Sequence, residues 1–231
     1  MTTTSTPPQA DTIDLYREVH KGLRNGIFQA TVAAGAANPD DDDAVAELTA
    51  AVRALAELLR AHAGHEDRNI DPLLERHAPE IAAELAVAHD DSEAALDELL
   101  SIAATVEHAG ADRPALLATL YDRLADFTVS YLAHLRDEEA IAMPALAAAL
   151  TTSELLDVQN AIRGQVTPDE MCRFIKLMVP AMDPSERVAM LTGMQAAPPE
   201  LFARFRDTAR DALPEDQWRE LASRLAATQP A

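Results

Sequence analysis

Apolar residues return every three or four positions along most of this chain, the period of a helix with one buried face. From residue 13 the stripe Ile13, Tyr16, His20, Leu23, Ile27 predicts a first helix with a histidine on its inner side. The run from Asn38 to Asp43, one proline followed by four aspartates, interrupts it. A second stripe, Leu48, Val52, Leu55, Leu59, continues into His62 and Glu66, so two polar residues stand where the next leucines would fall. Pro72 kinks or ends that helix, and Leu73 and Leu74 keep its apolar character. The third stripe is Ile81, Leu85, His89, Ser92, Leu96, Leu99, Ala103, with Gly110 as the expected stop. The fourth, Leu117, Leu120, Leu124, Phe127, Tyr131, His134, Glu138, Ile141, predicts one unbroken helix from Pro114 to about Leu150. Strand signals are nearly absent. An all-α chain follows: a Thr-, Ser- and Pro-rich tail over residues 1–10 read as frayed, then an antiparallel four-helix bundle with short loops over residues 11–150.

From Thr151 the pattern shortens, and residues 151–231 read as a C-terminal region of short helices near 152–163, 168–179, 184–196, 199–212 and 215–226. Thr167-Pro-Asp-Glu170 and Asp183-Pro-Ser-Glu186 each supply an N-cap residue, a proline at the first helical position and a glutamate at the third. Met171, Phe174, Ile175, Met178, Leu191, Phe202, Phe205 and Trp218 form a second apolar set. This region has no ligand cluster of its own. Three roles suit it: capping the open end of the bundle, binding a protein partner, or joining two copies of the chain as a homodimer.

Composition narrows the function. A formal charge of −20, with Lys21 and Lys176 the only lysines, opposes binding to phosphate backbones or anionic membranes, so neither nucleic acid nor membrane is expected as a partner. The single Cys172 cannot form an internal disulfide, and it reads as a small buried apolar residue. No basic segment followed by an apolar one opens the chain, and no apolar run approaches the ~18 residues of a membrane span, so a soluble protein of a reducing cytoplasm is expected.

Candidate chemistry lies on the stripes themselves. His62-x3-Glu66-x5-Pro72 recurs as His134-x3-Glu138-x5-Pro144. On a helix, residues i and i+4 project from one face about 6 Å apart, so each copy aims an imidazole and a carboxylate into the same space. His20 precedes the first copy at nearly the separation by which His89 precedes the second, so the first two helices resemble the last two. A bundle of two such pairs brings four inward histidines and two inward glutamates to one level, a donor set suited to two metal ions. Without thiolates the ligands are nitrogen and oxygen, and zinc or manganese fits them as iron does. Six such ligands shared by two ions leave positions open to O2, NO, peroxide or water. The competing reading, six polar residues paired only with one another, leaves buried carboxylates at a cost of several kcal/mol. Ferritin-like di-iron bundles place glutamate before histidine at a spacing of three, the reverse of the order here.

His20, His62-x3-Glu66, His89 and His134-x3-Glu138 together resemble the hemerythrin-like (HHE cation-binding) family over about residues 11–150. That resemblance implies a non-haem di-iron protein in which His20, His62, His89 and His134 are terminal ligands, while Glu66 and Glu138 bridge two irons beside an oxo, hydroxo or water ligand. It implies a small diatomic ligand or peroxide as partner, in sensing or in response to oxidative or nitrosative stress. The alternative is a di-iron oxidoreductase with catalase-like or ferroxidase activity. Oxygen-carrying members have His-x3-His on the third helix, whereas Glu93 follows His89 here, as an additional ligand or as a solvated residue. His65, about 60° from His62 around the helix, has three readings: alternate ligand, partner of a ligand, or surface residue. Tyr131, one turn before His134, is placed either to hydrogen-bond a bridging oxygen or to fill core. His77 and His108 lie near helix ends and are expected at the surface.

Overall fold

The computed structural model describes residues 13–227, and the tail expected over residues 1–10 lies outside them. The chain runs α1 (Arg17–Ala36), α2 (Asp42–Asn69), α3 (Asp71–His77), α4 (Pro79–Val106), α5 (Arg113–Asp137), a π turn (Glu138–Ala142) and α6 (Met143–Ala149). Five shorter helices follow: α7 (Thr152–Gln165), α8 (Pro168–Ala181), α9 (Pro184–Met194), α10 (Pro199–Asp211) and α11 (Glu215–Ala227). No strand occurs among the described residues, and no helix there is long and apolar enough to cross a membrane.

Aspartate side chains start the first two long helices, and a proline in the first turn starts α4 and α5. Asp14 Oδ1 accepts from the backbone N–H groups of Tyr16 and Arg17, each at 3.0 Å, and Asp41 Oδ1 accepts from Ala44 N–H at 3.0 Å. Beyond the end of α4 the chain turns through Gly110, whose φ of +52° lies in the left-handed region that favours glycine. α1 packs on α2 and α5, and α4 packs on the same two helices, so the four stripes face one another around a ring.

The two motif prolines break their helices differently. A proline has no N–H to give the carbonyl four residues back, and its ring crowds that carbonyl. At Pro72 the chain ends α2 and restarts as α3. At Pro144 it widens instead into the π turn, where Met143 N–H donates to Glu138 O. The expectation of one unbroken helix from Pro114 to Leu150 is therefore corrected.

Apolar clusters flank the motif level on both sides. The larger one, with Leu23, Ile27, Val52, Leu59, Leu120, Leu124 and Phe127, fills the bundle on one side. On the other side Tyr16, Ile70, Leu74, Leu85, Leu146 and Leu155 close the end, with Leu155 supplied by α7. A third cluster, including Ile175, Val179, Leu191, Phe205 and Leu221, holds α8 to α11 together. α8 is shared between two cores. Its Phe174 and Met178 belong to the bundle core, not to the C-terminal set expected from the sequence, while Ile175 and Val179 face the other way. α8 lies close along α1 because Gly22 lets it: a Cβ there would stand 2.7 Å from Met178 Cγ and 3.0 Å from Met178 Cα.

Candidate metal centre

The inward faces of α1, α2, α4 and α5 bring His20, His62, His89 and His134 together with Glu66 and Glu138. His62 Nε2 lies 3.1 Å from Glu66 Oε1, and His134 Nε2 lies 3.1 Å from Glu138 Oε1, the intrahelical contacts that an i,i+4 pair makes. The histidines form two edge-on pairs, His20 with His62 and His89 with His134, at ring separations of 5.2 Å and 4.8 Å. Each carboxylate reaches both pairs. Glu66 Oε2 is 3.7 Å from His89 Nε2, and its Oε1 is 4.0 Å from His20 Nε2. Glu138 Oε2 is 3.3 Å from His20 Nε2, and its Oε1 is 3.6 Å from His89 Nε2.

Burial makes this arrangement costly as it stands. Among the described residues, the buried side-chain nitrogens and oxygens without a hydrogen-bond partner are Arg113 Nε and atoms of this cluster, including His20 Nε2, His62 Nε2, His89 Nε2 and both oxygens of Glu66. Orphaned polar atoms converging in a dry site fit a cation that would take them as ligands. The proton equilibria carry the same strain. Burial, and then the neighbouring Glu138, push the Glu66 carboxyl well above the usual range. Burial also opposes charge on Glu138, but the close imidazoles of His134 and His89 outweigh it and hold that carboxyl well below the usual range. Burial opposes charge on His89 as well; its contacts with Glu138 and Glu66 prevail and raise its pKa to about 10. Burial, followed by the adjacent His20, pushes the His62 pKa well below its usual value. Glu66 and His89 are thus drawn toward their protonated forms where a bound cation would supply positive charge.

Outside the cluster, carboxylates face the far ring nitrogens. Glu139 Oε1 accepts from His20 Nδ1 at 2.9 Å and from Arg24 Nη1 at 2.6 Å. The Glu139 carboxyl is held down to about 2, first by the His20 hydrogen bond and then by that of Arg24. His89 Nδ1 lies 3.5 Å from Asp67 and 3.9 Å from Asp71. Glu139 and Asp67 each follow a motif glutamate directly, so the repeat extends one residue further than expected. Sequence reasoning missed both, although the acidic residue after each glutamate was the available signal. In both copies the adjacent acidic pair approaches opposite nitrogens of one histidine, Glu138 and Glu139 at His20 and Glu66 and Asp67 at His89, although only the second copy lies at the π turn.

The additional candidates separate clearly. Glu93 is turned away: its carboxylate accepts from Arg60 Nε at 2.9 and 3.0 Å, and its side chain is 54% exposed. In this structure an arginine on α2 takes the Glu93 carboxylate at the surface, away from the cluster. His65 is buried, which overturns its surface reading, and its Nε2 meets Glu170 Oε1 on α8 at 2.8 Å. Tyr131 is core, stacked on Phe127 at 5.1 Å with its ring 5.5 Å from that of His134. His77 and His108 are exposed and Cys172 is buried.

A histidine and carboxylate cluster buried within a ring of four helices is the donor set of a cation-binding bundle. The family model for the hemerythrin HHE cation binding domain matches residues 11–146, and the chain belongs to that family. Comparison with curated proteins and with solved structures returned no match. The matched region stops before α7, so the C-terminal helices lie outside it.

Proposed function

We propose that the cluster holds two iron ions, with His20 and His62 on one, His89 and His134 on the other, and Glu66 and Glu138 shared between them. The observation that carries this reading is that each carboxylate lies within 4.0 Å of histidines from both pairs. Bound iron would supply open coordination positions for O2, NO or peroxide together with one-electron chemistry. The chain's own residues prepare the site for it. Glu139 fixes the ring of His20 by accepting at Nδ1, which leaves Nε2 directed inward. Tyr16 and Tyr131, both buried, exclude water beside His20 and His134. His65, three residues after His62 and hydrogen-bonded to Glu170, links the ligand-bearing helix to α8. This link supports a role in sensing O2 or NO in a cytoplasmic response to oxidative or nitrosative stress, with α7 to α11 as the reporting surface for a protein partner.

Elemental analysis after expression in iron-rich medium is expected to give about two irons per chain, the load of a carboxylate-bridged bundle site. Less than about one metal per chain would sink the dinuclear reading. His62→Ala and His134→Ala are each expected to lose metal. Stopped-flow spectra then separate binding from catalysis: a stable, reversible O2 or NO adduct is expected. Repeated turnover of peroxide with O2 evolution would replace the sensor with a catalase-like oxidoreductase.

A further inference from the structure

A cavity of about 430 Å³ opens beside the histidine and carboxylate cluster. His62 and Glu66 form its inner end, and the orphaned Nε2 of His62 and both oxygens of Glu66 belong to these two buried residues. Its outer wall comes from beyond the family match: Met171, Phe174 and Met178 on α8, with Met190 and Met194 on α9. Helices that a cation-binding bundle does not need therefore build one side of a chamber that ends at the candidate ligands.

Size and lining define the occupant. A water molecule takes about 30 Å³, and a diatomic gas is of similar size, so the chamber is on the order of tenfold larger than O2 or NO requires. It falls within the range of sites for small organic molecules. Unbranched thioethers adapt to varied apolar shapes, which suits an alkyl or aryl body. An iron ion held by imidazole and carboxylate at the inner end would accept an oxygen donor there. We propose that this chamber binds an apolar organic molecule carrying one carboxylate head group, its head at the His62 and Glu66 edge and its body along the methionines. The proposal rests on the metal reading for the head group, whereas the apolar body is recognised by the chain alone.

Gly193 on α9 lines the same cavity, and a Cβ built there meets no atom within 4 Å. Gly193 is exposed at the rim of the cavity, so Gly193→Phe adds a ring there without crowding a core, and Met194→Trp is a second filling variant that narrows the same rim. The test is calorimetric titration of the metal-loaded protein with decanoate, acetate and 1-decanol. Decanoate is expected to bind at least tenfold more tightly than acetate and to perturb the optical spectrum of the metal. Gly193→Phe or Met194→Trp is expected to weaken decanoate at least tenfold while metal content stays at the parent level. Decanoate binding no tighter than acetate, or unchanged in both folded filling variants, overturns the chamber. Elemental analysis of the same samples keeps the two readings apart. If the parent lacks metal, the di-iron reading fails, and 1-decanol binding still decides the chamber: binding that the filling variants abolish supports it, and no binding overturns it.

Discussion

The bundle and the C-terminal helices solve the problem of folding in opposite ways. In the bundle, six polar side chains interrupt the apolar stripes at one level, and many of their buried atoms lack partners. In the C-terminal region, Thr151, Thr167 and Asp183 each form a complete capping box, and Ile175, Val179 and Leu191 pack without any exposure. The difference shows where each part's stability comes from. The second region draws on caps and burial that exist once the chain folds; the first contains a cost that a bound cation would offset.

The largest expected effect follows from that contrast. At metal concentrations about a thousandfold above Kd, binding contributes about 4 kcal/mol, so chelation is expected to lower the melting temperature by roughly ten degrees. Trp218, the sole tryptophan, packs against the C-terminal core, so its fluorescence reports that unit. Chelation is expected to move the bundle transition, followed by circular dichroism, further than the Trp218 transition. Equal shifts, or none, would break the comparison.

Next in size is the joint between the regions. Glu170 has two tasks: it completes the capping box with Thr167, and its Oε1 meets the buried His65 Nε2. Glu170→Ala leaves that nitrogen without its partner and removes the Glu170 half of the capping box while Thr167 still caps α8, for a loss of about 1–3 kcal/mol. Denaturant unfolding checks the loss, and metal content is expected to stay unchanged because His65 lies outside the cluster.

A smaller effect is expected at Glu139. Glu139→Gln keeps an acceptor for His20 Nδ1 but removes the charge that strengthens it, and loss of such a partner lowers metal affinity by about 10- to 100-fold. Competition with a chelator of known affinity measures the change. Unchanged affinity would mean that the His20 ring is held by packing against Tyr16 and not by its carboxylate.

These sites differ in how far the sequence reveals them. The inward histidines and motif glutamates were legible because each occupies a slot in a 3-4 rhythm that otherwise contains leucine. Glu139 and Asp67 were not, since a residue next to a motif glutamate points about 100° away on a helix, and whether it meets the far nitrogen of a histidine depends on the facing helix. The C-terminal boundaries were legible from caps and prolines, yet the division of α8 was not. Phe174 and Ile175 are both apolar, and nothing local says which one meets the bundle. The place of α8 depends on the glycine face of α1, where Gly22 and Gly26 permit close approach, a signal whose meaning needs the partner helix.

Glu93 gives the smallest expected effect and tests what a spacing rule can carry. It lies four residues after His89, so a regular helix allows both on one face, and oxygen carriers of the family have histidine at that place. Arg60 on the adjacent α2 decides otherwise: its guanidinium holds Glu93 and also donates to Asp97 at 2.6 Å. Glu93→His is therefore expected to leave the metal's reduction potential, autoxidation rate and stoichiometry at parent values. It removes only a half-exposed ion pair, whose contribution is a few tenths of a kcal/mol and falls further in salt. A rise of the potential by tens of millivolts would mean that residue 93 approaches the ions once they are bound, and the site would then gain a seventh protein ligand, from α4.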